Sequence, residues 1–302
     1  MQQVPNPAIS VPRITNKRIP ENDKNLLISG CSTGIGRACA LHFAKTGYHV
    51  FACVRKESDA ESLKAADDSG NLEPVMLDVT NELQLGELKA DLNQRIGDTG
   101  LAGLINNAGI AKSGPIEFID PQAVRDVFNV NVMGPLLLTQ TFLPLVRVAK
   151  GRIVTIGSIA GKIASPTMAA YSISKFGVEA FSDALRQELA PHGIHVAVVE
   201  PGPIETPMLQ SADEITQEVL DSLSEQGKEY YADIIGKILG YFHTMQGRAL
   251  PAQAVADVVE HALESNKPKT RYLVTTDAKI GNFLHWALPD RAFDYVSSKM
   301  IE

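Results

Sequence analysis

The chain has 302 residues, 44% of them apolar, which is ample for the core of one large or two ordinary domains. Its net charge of -7 is spread along the length, with no basic stripe to argue for nucleic acid, and no apolar run approaches the roughly 18 residues that a membrane span needs. Three cysteines, Cys31, Cys39 and Cys53, fall inside predicted core segments and read as small packing residues in a reducing, cytoplasmic compartment rather than as a disulfide framework.

Residues 1–23 carry Pro5, Pro7, Pro12 and Pro20 among scattered polar and basic groups. With no apolar stretch following, the segment reads as an extended N-terminal arm and not as a signal peptide or a helix. From Lys24 a short apolar strand runs into Gly30-Cys31-Ser32-Thr33-Gly34-Ile35-Gly36, and a helix follows to about Thr46. The glycines permit a tight turn and close backbone approach, and the helix start offers free N–H groups and a positive dipole end to a pyrophosphate. The spacing is GxxxGxG, not the GxGxxG of the general dinucleotide fingerprint, and by itself it also fits a mere turn.

A second strand over residues 48–54 ends in Val54-Arg55-Lys56, with no acid at its tip. An NAD-type site places an acidic residue about 20 positions on to bind the ribose hydroxyls, whereas a guanidinium pairs bidentately with a 2′-phosphate. The strand end therefore favours NADP(H), with Arg55 as main contact and Lys56 or Ser32 as helpers. NAD(H) stays open because Glu57 and Asp59 lie close by, and Arg55 also fits a solvated residue leaving a strand.

A third strand, 72–77, ends in Asp78-Val79-Thr80, with Thr80 the better-placed cap for a helix near 81–96. A fourth, 101–106, runs into Asn106-Asn107-Ala108-Gly109, the composition of a loop closed by side-chain to backbone bonds. Phe128 begins a helix with apolar Leu136, Leu137, Leu138, Phe142 and Leu145. Asn131 lies within it, where an asparagine often bonds nearby backbone and kinks the helix.

An apolar strand, 152–157, leads to Ser158, and a helical pattern runs from Tyr171 to about Leu189. Tyr171 and Lys175 are four apart and share one helix face, so the ammonium can sit beside the phenol. A free phenol titrates near pH ~10, and a neighbouring cation lowers that value. With the Ser158 hydroxyl on the same oxygen, the trio suits reversible proton transfer to an alcohol or ketone. A lone Tyr-Lys pair at this spacing is usually an ordinary exposed turn, so the serine at a strand end is what raises the reading. His192 and His195 stand on a helix-terminating turn and on the next strand, so no metal site is expected. The strand 194–199 then enters Glu200-Pro201-Gly202-Pro203-Ile204-Glu205-Thr206, otherwise a proline-stiffened loop.

Taken in this order, the glycine loop, Asn-Asn-Ala-Gly, Asn131, Ser158, Tyr171-x-x-x-Lys175 and the Pro-Gly loop resemble the short-chain dehydrogenase/reductase family over roughly residues 24–206. The resemblance implies a cofactor lying on Gly30, Ser32, Thr33, Gly34, Ile35 and Gly36, with Asp78 and Val79 at its adenine edge. It implies Asn107, Ala108 and Gly109 beside the adenine and the central sheet, and Pro201, Gly202, Ile204 and Thr206 at the nicotinamide, the last two through a backbone group and a hydroxyl. Tyr171 would be the acid in reduction and the base in oxidation. Ser158 would steady the substrate oxygen, and Lys175 would hold the phenol's pKa down while gripping the ribose. Asn131 would bend its helix and hold a water that connects to the lysine. The Gly-Cys-Ser-Thr-Gly-Ile-Gly loop and the Val-Arg-Lys strand end look most like the hydroxysteroid- and retinol-type branch. That branch implies a small-molecule secondary alcohol or ketone on a bulky apolar skeleton, and the family implies a homodimer or homotetramer.

Strands alternating with helices after a glycine turn predict an α/β fold, a doubly wound parallel sheet of Rossmann type, in a single domain over residues 24–302. Beyond Pro207 the chain is individual. Ser211-Ala212-Asp213-Glu214 has capping-box spacing, and two amphipathic runs carry Ile215, Val219, Leu220 and Leu223, then Tyr230, Ile234, Ile235, Ile238, Leu239 and Phe242. The resemblance implies that this insertion, about residues 207–250, is a helical lid over the substrate; its aliphatic and aromatic surface suits an apolar substrate, a pattern that also serves core or subunit packing. After a helix at 252–264 and a last strand at 271–275, a tail of about 277–302 is aromatic enough to close the pocket, pack on a neighbour or touch a membrane surface. The rival readings are an NAD(H)-dependent alcohol dehydrogenase of the same family, a sugar-nucleotide epimerase with the other glycine spacing, and a dinucleotide-binding sensor without catalysis.

Overall fold

Short apolar runs bounded by glycines and polar turns become strands, and the amphipathic runs between them become the helices that cover the strands. The computed structural model describes residues 24–301, so the predicted arm at 1–23 lies outside the described residues. In chain order the first half runs β1 (Asn25–Ile28), α1 (Gly34–Lys45), β2 (His49–Val54), α2 (Glu57–Ala65), β3 (Leu72–Met76), α3 (Glu82–Ile96) and β4 (Gly103–Asn106). Next, α4 (Pro121–Phe128) passes through a π-turn at Asn129–Met133 into α5 (Gly134–Ala149), followed by β5 (Arg152–Ile156), α6 (Ala169–Leu189) and β6 (His195–Glu200). The remainder comprises β7 (Ile204–Glu205), α7 (Pro207–Gln210), α8 (Ala212–Ser222), α9 (Glu225–Gln246), β8 (Leu250–Pro251), α10 (Ala252–Glu264), β9 (Arg271–Leu273), α11 (Thr276–Ala287) and α12 (Asp290–Ile301).

Seven of these strands form one parallel sheet in the order β3-β2-β1-β4-β5-β6-β9. Its strands are buried on both faces, as a parallel sheet between helical layers must be. Leu26 and Ile28 point to the side where Cys39 and Phe43 of α1 and Val255 and Val259 of α10 pack. Leu27 between them points the other way, toward Leu88 and Leu92 of α3, Phe142 of α5 and Leu189 of α6. The cysteines are free and buried, and burial pushes the thiols of Cys39 and Cys53 up to about 12, so both are inert packing groups.

Three local expectations change. The cap of α3 is Asn81, the residue directly before the first helical residue Glu82, and its side chain accepts from the N–H groups of Leu83 and Gln84; Thr80 lies one residue further out and donates its N–H and hydroxyl to Asp78 Oδ1 at 2.9 and 2.7 Å. Ser211 makes no side-chain cap: its own N–H still bonds the Pro207 carbonyl at the end of α7, so the chain has not left the helix before α8 begins. The last strand stops at Leu273, since Thr275 leaves it to cap α11 through the Ala278 N–H.

The helical run Pro121–Ala149 is, among the described residues, long enough and at a mean hydropathy of 1.4 apolar enough to cross a membrane by length and composition, which the sequence reading did not anticipate. In the fold Val127, Leu138, Phe142 and Leu145 along it are buried in the protein.

Replacing Asn81 by alanine is expected to lower stability by about 1 kcal/mol in urea unfolding, with Thr80→Ala within about 0.5 kcal/mol of wild type; the reverse ranking would return the cap to Thr80.

Candidate active site

The strand order reverses between β1 and β4, and there the loops leaving the two strands are tied together. Ser29 Oγ accepts from the N–H groups of Asn107 and Ala108 at 3.0 Å each, while Asn107 Nδ2 donates to the carbonyls of Ser29 and Gly30 at 2.9 Å each. Gly30 turns with φ +71°, and a Cβ there would come within 2.8 Å of the Ala108 backbone. A Cβ on Gly36 would land on the Gly30 carbonyl oxygen and the Asn107 amide. Helix α1 starts at Gly34 with no side-chain cap from Thr33 and no acid in its first turn. Its first N–H groups and positive end are thus left for an anion, so the cradle fits the pyrophosphate of a dinucleotide. The Thr206 side chain crosses this loop, 3.0 Å from where a Gly34 Cβ would be.

One cavity of about 710 Å³ runs from this cradle across the carboxyl ends of the strands. The glycine loop with Ser32, Thr33 and Ile35 lines it, together with Arg55, Asp78, Val79, Asn107, Ala108, Gly109, Ser158, Tyr171, Lys175, Pro201, Gly202, Ile204 and Thr206. The Arg55 guanidinium acts on Asp78, helping the two Thr80 hydrogen bonds to hold that carboxyl below its usual range against the effect of burial. Two expected residues are not on the cavity wall. Lys56 leaves β2 as the first residue before α2, and Asn131 sits behind the wall in the middle of the π-turn.

The bend expected at Asn131 is that π-turn, and its cause is visible. The amide side chain pairs with both backbone groups of Ile110, accepting at 2.8 Å and donating at 2.8 Å, and donates to Ser174 Oγ at 2.9 Å. Both amide donors are thus used, and the amide oxygen already accepts one bond.

Ser158 follows β5 in extended conformation, and its Oγ accepts from the Ala160 N–H at 3.1 Å. Tyr171 and Lys175 lie one turn apart on α6, with the lysine Nζ 5.6 Å from the centre of the phenol ring. Burial raises the Tyr171 phenol above its ordinary range, with the Ser158 hydroxyl pulling the other way. This differs from the expected lowering by the lysine, and the reason is geometric: Lys175 Nζ donates to the Ile156 carbonyl at 2.8 Å instead of meeting the phenol. Burial brings the lysine itself down to about 8. The site therefore pairs a phenol that holds its proton firmly with an amine close to its titration point.

The same cavity is lined by apolar side chains of the helices after β7, among them Val219, Ile235, Ile238 and Phe242, and by Leu284, Phe293 and Met300 of the tail. The tail helices thus line the pocket. Sequence reading missed Ser113 and Thr167 on the same wall. Thr167, a β-branched residue at φ 63°, is held in this strained conformation by the Gly114 N–H and Ser113 hydroxyl donating to its carbonyl at 2.8 and 3.2 Å. The chain pattern carries no signal for that contact.

The family profile described as short chain dehydrogenase matches residues 24–217. The chain belongs to that family. It is 37% identical over 286 residues to retinol dehydrogenase 16 of Rattus norvegicus, covering 92% of this chain and 90% of that one. It is 38% identical to 17-beta-hydroxysteroid dehydrogenase type 6 of Bos taurus, covering 92% and 88%, and 36% identical to the mitochondrial D-beta-hydroxybutyrate dehydrogenase of Mus musculus, covering 82% and 76%. A solved short-chain dehydrogenase from Streptomyces avermitilis superposes with a TM-score of 0.72 at 26% identity, over 92% of this chain and 94% of that one. This short-chain dehydrogenase is accordingly an NAD(P)-dependent oxidoreductase acting on an alcohol, of the hydroxysteroid and retinol type.

Replacing Gly36 by alanine drives a methyl group into the Gly30 carbonyl and is expected to weaken NADPH binding at least about tenfold in a fluorescence titration; unchanged affinity would mean that the glycine cradle is not the binding site.

Proposed function

We propose that the protein is an NADP(H)-preferring oxidoreductase that interconverts a secondary alcohol and a ketone on a bulky apolar skeleton, steroid-, retinoid- or lipid-like, with Tyr171 as general acid and base. The observation that carries this reading is the meeting of Ser158, Tyr171 and Lys175 in a cavity that is otherwise lined by many aliphatic and aromatic side chains. When bound, the dinucleotide supplies or accepts the hydride. The chain supplies the proton: in reduction the Tyr171 hydroxyl gives it to the carbonyl oxygen as that oxygen gains charge, with the Ser158 hydroxyl as second donor. The phenolate left behind needs a cation within reach, and the Lys175 ammonium, one helical turn away, is that cation. In oxidation the same groups work in reverse. Because the phenol is raised, reduction keeps its acid well above neutral pH, while oxidation gains its base only as pH rises.

Arg55 and the lack of an acid at the tip of β2 support NADP(H), since a guanidinium at that wall attracts a 2′-phosphate and a carboxylate would repel it. The relatives named above are retinol, hydroxysteroid and hydroxybutyrate dehydrogenases. Among these the apolar lid favours the larger skeletons, because a small charged acid would leave most of that wall facing water. Association through α5 and α6 into a homodimer or homotetramer is supported by Val148, Ile173 and Phe176, which stand 51%, 55% and 45% exposed.

Tyr171→Phe is expected to lower turnover of ketones and aldehydes by at least about a thousandfold and to leave NADPH affinity within a few-fold; a variant that still turns over would remove Tyr171 from the chemistry. For the cofactor, Arg55→Asp is expected to weaken NADPH far more than NADH in parallel titrations, and equal losses for both would remove the preference.

A further inference from the structure

Beneath the active-site floor lies a set of buried charges that the proton chemistry above does not use. Glu179 is one turn beyond Lys175 on α6, and Glu200 is the last residue of β6, directly before the Pro201-Gly202 loop. Both carboxyl groups are almost wholly buried. The same two cations bridge them. Lys162 Nζ lies 2.7 Å from Glu179 Oε2 and 3.5 Å from Glu200 Oε1, while Arg271 reaches Glu179 Oε2 at 2.7 Å and Glu200 Oε1 at 3.4 Å. Arg271 is also bound by Asp183 through two bonds of 2.9 and 2.8 Å, and Asp183 takes a third from Arg186.

These contacts are unequal. Glu179 Oε2 has two cations at contact distance, whereas Glu200 Oε1 has two at the margin and no hydrogen bond of good geometry. The second oxygen of Glu179 is also buried without a hydrogen-bond partner, and it lies 3.3 Å from where a Cβ on Gly157 would be, beside Ser158. Two carboxylates that share the same pair of cations out of water cannot both keep a full charge at little cost, and one proton between them removes the conflict. The better-paired Glu179 is the one to stay ionised, and the Glu200 carboxyl is pushed up by burial and by its neighbour.

We propose that Glu179 and Glu200 form a carboxyl pair holding one proton between them, and that Glu179 is a positioning residue that keeps Lys175 in its ammonium form. The kinetic part of this proposal rests on the role given to Lys175 above. Titratable groups facing Lys175 are Tyr171 and Glu179 on its own helix, with the Ile156 carbonyl opposite. Those facing the pair are Lys162 from the turn after β5, Lys175 and Asp183 from α6, and Arg271 from β9, with Arg186 acting through Asp183. Of these, Glu179 raises Lys175 against the lowering effect of burial. The sign follows: a neutral residue at 179 removes the upward pull, so Lys175 loses its proton at lower pH.

The test reads Lys175 without turnover, by trace acetylation of the full-length protein with acetic anhydride across pH and mass spectrometry of the peptide. The wild-type midpoint is expected near 8, with Glu179→Gln lower by roughly one pH unit and Glu200→Gln, which mimics a carboxyl already protonated, unmoved. An unmoved midpoint in Glu179→Gln, or an equal fall in Glu200→Gln, would overturn the proposal. Thermal melts separate folding from charge, and Glu179→Asp, which keeps the charge on a shorter stem, is expected to titrate close to wild type. Should Glu179→Gln not fold, a large fall in either Glu179→Asp or Glu200→Gln still overturns it. The alkaline limb of kcat/KM for ketone reduction is expected to move with the labelling midpoint. A labelling shift with a fixed kinetic limb upholds the charge-setting pair and overturns instead the part given to Lys175 in catalysis.

Discussion

The close approach of the β1 and β4 loops is the constraint on which the site depends. Adjacent parallel strands whose crossovers leave in opposite directions open a crevice between their ends, and the width of that crevice is set by how the two loops are held. Here one serine hydroxyl and one asparagine amide fix it from both sides. Glycine at 30 and 36 follows from the same approach, because the space that a Cβ needs is already taken by Ala108 backbone in one case and by the Gly30 carbonyl in the other. The cradle at the start of α1, the reach of Arg55 into the cavity and the crossing of Thr206 all presuppose that separation.

The proton-transfer trio depends on a second tie, between β5 and α6. Lys175 is buried, and an ammonium out of water needs compensation. The Ile156 carbonyl at the end of β5 provides a direct hydrogen bond, and the Glu179 carboxylate one turn along the helix provides a field. This arrangement leaves the amine near its titration point instead of firmly charged, which is a property of the packing and not of the Tyr-x-x-x-Lys spacing. Asn131 contributes at a distance: by binding Ile110 and Ser174 it fastens the π-turn to the loop after β4 and to α6 at once.

Much of this was legible in the chain. The alternation of strands and helices, the glycine loop, the loop after β4 and the Ser158, Tyr171, Lys175 set lie where the pattern puts them, because each is encoded by neighbours in sequence: apolar runs, a turn residue, a four-residue offset. What escaped reading depends on residues far apart. Whether Lys175 lowers the phenol depends on where the Ile156 carbonyl stands, and no spacing reports that. Thr80 does not cap α3 because the helix starts one residue later than the pattern suggests, which puts Asn81 at the cap position. Glu179 and Glu200 were open to suspicion as acids on faces that otherwise bury apolar groups, yet their partners, Lys162 and Arg271, come from separate segments. Lys56 was assigned by adjacency to Arg55, and adjacent residues leaving a strand point to opposite sides.

The two halves of the cavity differ in how they are held. The half that holds the glycine cradle and the Ser158, Tyr171, Lys175 set rests on the ends of the five central strands, whose residues are almost all buried. The substrate half rests on helices with few anchors: α12 has no buried residue among those described, α11 has only Ala278, and Trp286 and Phe283 stand 80% and 59% exposed. Elements with little buried apolar area open locally at low free energy. The strand-end side of the cavity is therefore the part where small displacements are resisted, and the helices after α10 are the part that yields. Side chains along α11 and α12 can change with little loss of packing, because few of them are buried, whereas a change in the central strands disturbs both core layers at once.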